Sequence, residues 1–512
     1  MSKKVSRRDF ARTSVSVVAG AAAVALPPAL FAKRPGEGPT FAAAEGAAAA
    51  KRRRVVRPES GFGYGGDPAR GVSAYRDSIA LAHAPAPEQN QTPPEIVRGW
   101  RVGTTIPAEY YADEKQYQND EHVIREHFWL MVDHASRIPR SGDYFVFEFG
   151  RGDSAIILRD KAGDLKAFHN VCRHRGSRLC RHDGNPAPQD ARLSVKQLGA
   201  SGNTPVFRCP YHAWTYDHDG RLISAPNGMP SDFDMSQNGL IPCHVRTSGG
   251  FIFVNLSRAE PPDFDAIADP SRTPQNWRTV CEEYGTAQLK IAARQHYPVS
   301  ANWKLVLENF HECYHCGPAH RSLVKAHPFW DGTMPAEQRA RLVKELEPFM
   351  PPQTRQRAGQ GGMGGAALGG GILNVGFSTG SLDGKPVAPL LPTKKEYTHR
   401  QRVASTAWAL GCIQCYDDYV AVVRHTPRGL TATDVEIFWL VNADAKEGRD
   451  YKPERVMALW DITEREDRWI VENNQHGLRS GAYSSGRYAA TEGGPSRFVQ
   501  WYMTEVVQDK KV

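Results

Sequence analysis

The chain has 512 residues, 40% of them hydrophobic, and 11 tryptophans, enough for roughly two to four domains with sizeable cores. Its 64 Lys and Arg against 56 Asp and Glu leave a formal charge of +8. Much of that excess sits at Lys3, Lys4, Arg7, Arg8, Arg12 and the run Lys51-Arg52-Arg53-Arg54. No aromatic residues interleave with that run, so it reads as a solvated linker, and nothing else in the chain argues for nucleic-acid binding.

Ser6-Arg7-Arg8-Asp9-Phe10-Ala11-Arg12, followed by the apolar run Val15 to Leu26, resembles a twin-arginine export signal. Pro27-Pro28 interrupts that run, which is too short for a membrane span. Residues 1–44 are expected to be this signal, with cleavage near Ala32 or within Ala42–Ala44. The implied location is the periplasm; a chance arginine pair leaves the chain in the cytoplasm. Residues 45–94, rich in Ala, Gly, Pro and Arg, read as a linker or disordered arm.

Globular composition begins near Tyr110. A helix is predicted over Glu114 to Phe128 and a strand over Trp129 to Val132. Strands follow at Tyr144–Phe149, Ala155–Leu158 and Leu165–Phe168, punctuated by Gly and Asp, which argues a small antiparallel barrel. Between such strands lie Cys172-Arg173-His174 and Cys209-Pro210-Tyr211-His212. Two thiolates and two imidazoles on two loops can hold a [2Fe-2S] cluster, the cysteines on one iron and the histidines on the other. Structural zinc is the alternative, although zinc modules more often take both cysteines from one knuckle. The stretch Pro186 to Thr204 reads as a surface insertion between the loops.

In the C-terminal half, Gln288 to Ser300 and Val435 to Asn442 read as strands. Val456 to Gln475 reads as a helix with Trp460, Trp469, Ile470 and Val471 inward. Asn302 to Cys316 is also predicted helical, stopped by Gly317-Pro318, with Asn309, Glu312 and His315 on one side. His315 and His320 then make a metal half-site lacking an oxygen ligand, as in the 2-His-1-carboxylate face of non-haem iron. Two other readings compete. His311-Glu312-Cys313-Tyr314-His315 fits the H-E-x-x-H zinc-protease helix, and histidines also line cores. The Gly-rich stretch 356–371 is either a lid or an insertion. Cys412-Ile413-Gln414-Cys415 has dithiol spacing, but its apolar context argues buried thiols.

Two motifs in one order carry a resemblance. Asn170-Val-Cys-Arg-His-Arg-Gly176 with Cys209-Pro-Tyr-His-Ala-Trp-Thr-Tyr216, and Asn309 to His320, resemble the Rieske and mononuclear iron motifs of ring-hydroxylating oxygenase α subunits. The resemblance implies an α+β chain with two domains. Residues 95–255 would form a Rieske [2Fe-2S] antiparallel β domain with a preceding helix. Residues 256–512 would form a helix-grip (START-like) catalytic domain with a curved antiparallel sheet. It implies Cys172, His174, Cys209 and His212 on the cluster and His315, His320 and Asp467 on Fe(2+). Glu312 would be the carboxylate joining a cluster histidine of one subunit to an iron histidine of the next. Glu312, Gln475-x-Gly477-x-x-Ser480 and Trp501-Tyr502 most resemble the branch acting on betaines and carnitine. The implied activity is O2-dependent hydroxylation, demethylation or dihydroxylation of a small organic substrate. Its implied electron donor is a separate NAD(P)H-dependent reductase or ferredoxin, and the implied assembly a homotrimer. A pure electron carrier without mononuclear iron is the rival.

Overall fold

The computed structural model describes residues 95–97, 100–181, 197–226, 228–265, 277–349, 370–406 and 410–507. The export signal at 1–44, the arm at 45–94, most of the 186–204 insertion and nearly all of the Gly-rich stretch lie outside the described residues.

Asp113 opens the first long helix. Its carboxylate accepts the Gln116 N–H at 2.7 Å and caps α1 (Glu114–His127). Glu114 in the first turn and Arg125 in the last have the signs the helix dipole favours. β1 (Leu130–His134) follows, then β2 (Asp143–Phe149), β3 (Asp153–Arg159), β4 (Leu165–His169) and β5 (Ser201–Asn203). These four form an antiparallel sheet in the order β4-β3-β2-β5. The three strands predicted between Tyr144 and Phe168 fall inside β2, β3 and β4. Three short strands, β6 (Phe207–Arg208), β7 (Thr215–Tyr216) and β8 (Leu222–Ser224), make a second antiparallel sheet. β9 (His244–Ser248) and β10 (Phe251–Asn255) then return to pair with β1.

The second half is built on a six-stranded antiparallel sheet. Its strands are β11 (Leu289–Val299), β12 (Gly371–Ile372), β13 (Arg400–Ser405), β14 (Gly411–Cys415), β15 (Val420–Gly429) and β16 (Ala432–Asn442), in the order β11-β16-β15-β14-β13-β12. β15 carries three Val and β16 two Val with Ile437, Phe438 and Trp439, and β14 to β16 are buried along most of their length. Against the sheet packs α2 (Trp303–Phe310), and the single turn α3 (Cys316–Ala319) leads into α4 (Arg321–Ala326). Further along the chain, the long helix α5 (Pro453–Gly477) packs on the sheet and on α4, and α6 (Gly493–Trp501) packs on α2. On α5 the buried side chains are Val456, Leu459, Trp460, Thr463, Glu464, Val471 and Gln475, steps of three and four that make one inward stripe.

Two predicted features differ. α2 ends at Phe310 rather than Cys316, and Gly317-Pro318 lies inside the helical turn α3 instead of stopping a helix. Trp469 is 71% exposed rather than inward; it sits outside the stripe. All nine cysteines are free and buried, Cys412 and Cys415 within β14.

Ion pairs join the two halves. Asp133 on β1 accepts from Arg294 on β11 at 2.7 Å, and Glu148 on β2 accepts from Arg428 on β15 at 2.6 Å. The most buried pair anchors α2. Lys304 Nζ lies 2.5 Å from Asp120 Oδ2, with both side chains fully enclosed. The Trp303 indole N–H donates to the same carboxylate at 3.1 Å, and the Tyr502 hydroxyl and the Gln116 amide each donate at 3.0 Å. Every oxygen lone pair facing the protein therefore has a donor. Removing one charge leaves the other buried alone, so Lys304→Met is expected to cost about 3–5 kcal/mol. Urea unfolding checks this, and Lys304→Met combined with Asp120→Asn, which removes the stranded charge but keeps an acceptor oxygen for the remaining donors, should recover part of the loss.

Candidate metal centres

The cysteines of the first centre lie on two loops. One follows β4 and carries Cys172 and His174. The other joins β6 to β7 and carries Cys209 and His212. Asn170, wholly buried, shapes the first: its amide donates to Cys180 O at 2.7 Å and its oxygen accepts from the Leu179 and Cys180 N–H groups at 3.1 and 2.9 Å. The second closes through Cys209 N–H to Trp214 O at 2.8 Å, with Ala213 at a φ of 61°. That left-handed position favours glycine, so Ala213 holds the turn under strain.

The loops bring all four predicted side chains together. Cys172 and Cys209 are buried, 2% and 1% exposed, and their thiols hydrogen-bond to each other. That contact, with backbone N–H groups from Tyr211 and His212, pulls the Cys209 thiol below its ordinary value despite burial. At the exposed edge, His174 Nδ1 and His212 Nδ1 stand 3.1 Å apart. Two imidazoles each about 2.1 Å from one ion stand about 3.0–3.4 Å apart. Two sulfurs inside and two nitrogens outside therefore fit a [2Fe-2S] cluster bound half by thiolate and half by imidazole. Trp214 stacks on His174 (centroids 4.8 Å, 10°) and Tyr211 on His212 (3.8 Å, 29°).

Sequence reasoning did not single out the role of Tyr216. Its hydroxyl lies 3.3 Å from Cys172 Sγ and accepts the Arg173 N–H at 3.1 Å. A hydroxyl proton on a ligand sulfur favours the reduced cluster. Tyr216→Phe is expected to lower the cluster's reduction potential without loss of iron, as read by spectroelectrochemical titration.

The second centre lies between α2, α4 and α5. Glu312 explains why α2 ends early. Its carboxylate turns back to accept the N–H groups of Tyr314 and His315, the latter at 3.2 Å. That local bond replaces the helical ladder. The chain then turns so that His315 and His320 face each other, rings 5.1 Å apart and nearly perpendicular. Asp467 reaches in from the inward stripe of α5. Its Oδ1 is 3.2 Å from His315 Nε2 and 3.0 Å from His320 Nε2. Ligands about 2.1 Å from an ion and at right angles to one another lie about 3.0 Å apart, so the three atoms fit one face of an octahedral site.

Each imidazole is oriented from behind. Glu312 Oε1 lies 2.5 Å from His315 Nδ1, and Glu466 Oε2 lies 2.9 Å from His320 Nδ1. With Nδ1–H donated to a carboxylate, each Nε2 lone pair is left for a metal. Burial disfavours the charged imidazolium of His315, but Asp467 and Glu312 raise it to about 10. Asp467 is held far below the usual carboxylate range by the two histidines, against its burial. A metal cation satisfies the same electrostatics in place of those protons.

His311 does not join this group. It is half-buried, its ring 5.5 Å from that of Phe498, and loss of hydration at the imidazole pushes its pKa down to about 3. Because the helix has ended, His311 and His315 do not share a helical face, so the zinc-protease geometry is not formed. Among the other acids weighed on α5, Asp461 accepts from the Tyr297 hydroxyl at 2.7 Å, and Glu464 is buried. Cys316 Sγ, 3.9 Å from His315 Nε2, is a neighbour that spacing alone did not flag. A cavity beside the centre is lined by Trp330, Gln414, Trp460 and Ser405 among others.

Comparison with known proteins gives two family matches. The "Rieske [2Fe-2S] domain" model matches residues 128–238 and the "Ring hydroxylating alpha subunit (catalytic domain)" model residues 286–508. The chain is 33% identical over 453 residues to the glycine betaine monooxygenase oxygenase subunit of Chromohalobacter salexigens, covering 85% of this chain and 94% of that one. It is 33% identical over 218 residues to the carnitine monooxygenase oxygenase subunit of Escherichia coli, covering 42% and 52% of the two chains. The structure of a quaternary ammonium Rieske monooxygenase with L-carnitine superposes with a TM-score of 0.54 at 21% identity, covering 78% of this chain and 94% of that one.

Proposed function

The chain belongs to the Rieske ring-hydroxylating oxygenase α subunits, and we propose that its substrate is a small quaternary ammonium compound that it oxidatively demethylates. As a member of that family it is the oxygenase component of an oxidoreductase. It carries a Rieske [2Fe-2S] cluster and a mononuclear non-haem iron, and it works with a reductase, O2 and a small organic substrate. In the proposed assignment Cys172, Cys209, His174 and His212 hold the cluster, and His315, His320 and Asp467 hold the iron.

When bound, the cluster supplies electrons and the iron supplies activation of O2. The residues do the rest. Glu312 and Glu466 fix the two iron-site imidazoles in one tautomer. The cavity walls, with Leu323 and Val403 among them, keep bulk water from the reacting methyl group. One methyl carbon gains an oxygen atom, and the other oxygen leaves as water with two electrons and two protons. The resulting N-hydroxymethyl group collapses to formaldehyde, a tertiary amine and a proton.

The donor is proposed to be an NAD(P)H-dependent reductase. The assembly is proposed to be a homotrimer in which Glu312 links neighbouring subunits. The Arg7-Arg8 segment is proposed to direct export of the folded chain to the periplasm. What carries the substrate reading is the identity with a glycine betaine monooxygenase across most of the chain. Its location in the iron site is supported by Asp467 converging on two imidazoles beside a cavity. The test is turnover of the iron-loaded chain with a generic reductase. Glycine betaine or carnitine is expected to give formaldehyde in step with O2 consumed. Turnover of aromatic hydrocarbons with no formaldehyde from any quaternary amine overturns it.

A further inference from the structure

A quaternary ammonium substrate, the reading on which this inference rests, needs a seat for a charge that cannot donate a hydrogen bond. The cavity beside His315, His320 and Asp467 contains a corner suited to one. Trp330 and Trp460 line it, 3% and 5% exposed, with ring centroids 6.3 Å apart and planes inclined by 59°. Two broad π surfaces therefore meet at an angle. One face of Trp330 is covered by His327, stacked at 4.2 Å and 14°. His327 is wholly buried, and burial pushes its pKa down to about 3. Its Nε2 pairs with the Tyr416 hydroxyl at 2.8 Å. A neutral ring behind Trp330 leaves the negative quadrupole of the indole intact, whereas an imidazolium there would offset it.

The rest of the lining favours a cation too. Phe310 adds a further aromatic ring, and none of the described lining residues is Lys or Arg. Asn309, Ser405, Gln414 and Thr463 are neutral polar groups beside them. We propose that Trp330 and Trp460 form the seat of the substrate's trimethylammonium group, holding it by cation–π attraction beside the metal centre. They would then set the preference for a quaternary cation over a neutral group of equal size.

The probes are glycine betaine and 3,3-dimethylbutanoate, which has the same shape with carbon in place of the charged nitrogen. Calorimetric titration of the anaerobic, iron-loaded protein is expected to show roughly tenfold tighter binding of glycine betaine. Trp330→Leu and Trp460→Leu should each remove most of that preference by weakening glycine betaine, leaving 3,3-dimethylbutanoate within about threefold. Preference retained in both variants overturns the seat while the quaternary ammonium reading stands. A wild-type protein that does not prefer the cation, and turns over neither glycine betaine nor carnitine, overturns both. Should a leucine variant lose its cluster absorption, Trp330→Phe and Trp460→Phe decide by the same ratio. A reduced preference supports the seat, and an unchanged one overturns it.

Discussion

Asp467→Ala is expected to abolish turnover and to lower the iron content from about three per chain to about two, while the cluster's visible absorption persists. The two centres are separate constructions. The cluster loops draw on Cys172, His174, Cys209 and His212 and contain nothing from α5. Asp467 lies between the two Nε2 atoms, so its removal leaves two imidazoles and no anionic oxygen to neutralise a dication. The neighbouring acids provide controls. Asp461 is engaged by Tyr297 and Arg465, and Asp461→Ala should keep the iron. Glu466 touches only the far side of His320, so Glu466→Ala should weaken iron binding by roughly 10–100-fold without removing a ligand. His320→Ala should behave as Asp467→Ala does. Iron analysis with the visible spectrum decides between these cases. An Asp467→Ala protein with full iron and full turnover would show that the carboxylate had been misassigned. The electron-carrier rival predicts about two irons in the wild-type protein already.

What the sequence revealed of these centres depended on how local each signal was. The cluster ligands sit in two short loops, and C-x-H and C-x-x-H between β strands can be read without knowing the fold. Asp467 was reached by resemblance, but the stripe on α5 supports the same choice: it continues Trp460, Thr463 and Glu464 toward Val471, and Asp461 does not. The end of α2 differs from the expectation because the spacing of Asn309, Glu312 and His315 by threes, with Gly317-Pro318 as the first breaker, reads as helix past Phe310. The competing bond, from the Glu312 carboxylate to the backbone of Tyr314 and His315, is a choice that a periodicity argument does not include. Glu466 was legible only in three dimensions, since its partner His320 lies 146 residues earlier. Trp469 was placed inward because it is large and apolar. On α5, however, position relative to the stripe decided burial, and a tryptophan outside it is exposed.

Glu312→Gln is expected to bind its iron, reduce its cluster at a normal rate, and stall before product. In the structure both carboxylate oxygens are in use. Oε1 faces His315 Nδ1 at 2.5 Å, and Oε2 accepts two backbone N–H groups. The amide keeps the size but turns one acceptor into a donor. Either the His315 N–H or the backbone pair then loses its partner, at a cost of roughly 1–3 kcal/mol for a buried donor. In the proposed trimer the same carboxylate also accepts from the imidazole of a neighbour's cluster, and that bond orients the two metal-bound rings toward one another. A head-to-tail contact of this kind closes only in a ring, and with three members, as proposed, the normal protein should sediment as a trimer. Losing the link should slow electron transfer between centres far more than it disturbs either centre alone. The informative measurement is a single turnover: the cluster is reduced beforehand, substrate and O2 are added, and its reoxidation is followed against product. Slow reoxidation with iron content intact supports the bridge. Reoxidation and product formation at the wild-type rate in Glu312→Gln would leave Glu312 a local cap for the turn at Tyr314 and His315, with the electron crossing elsewhere.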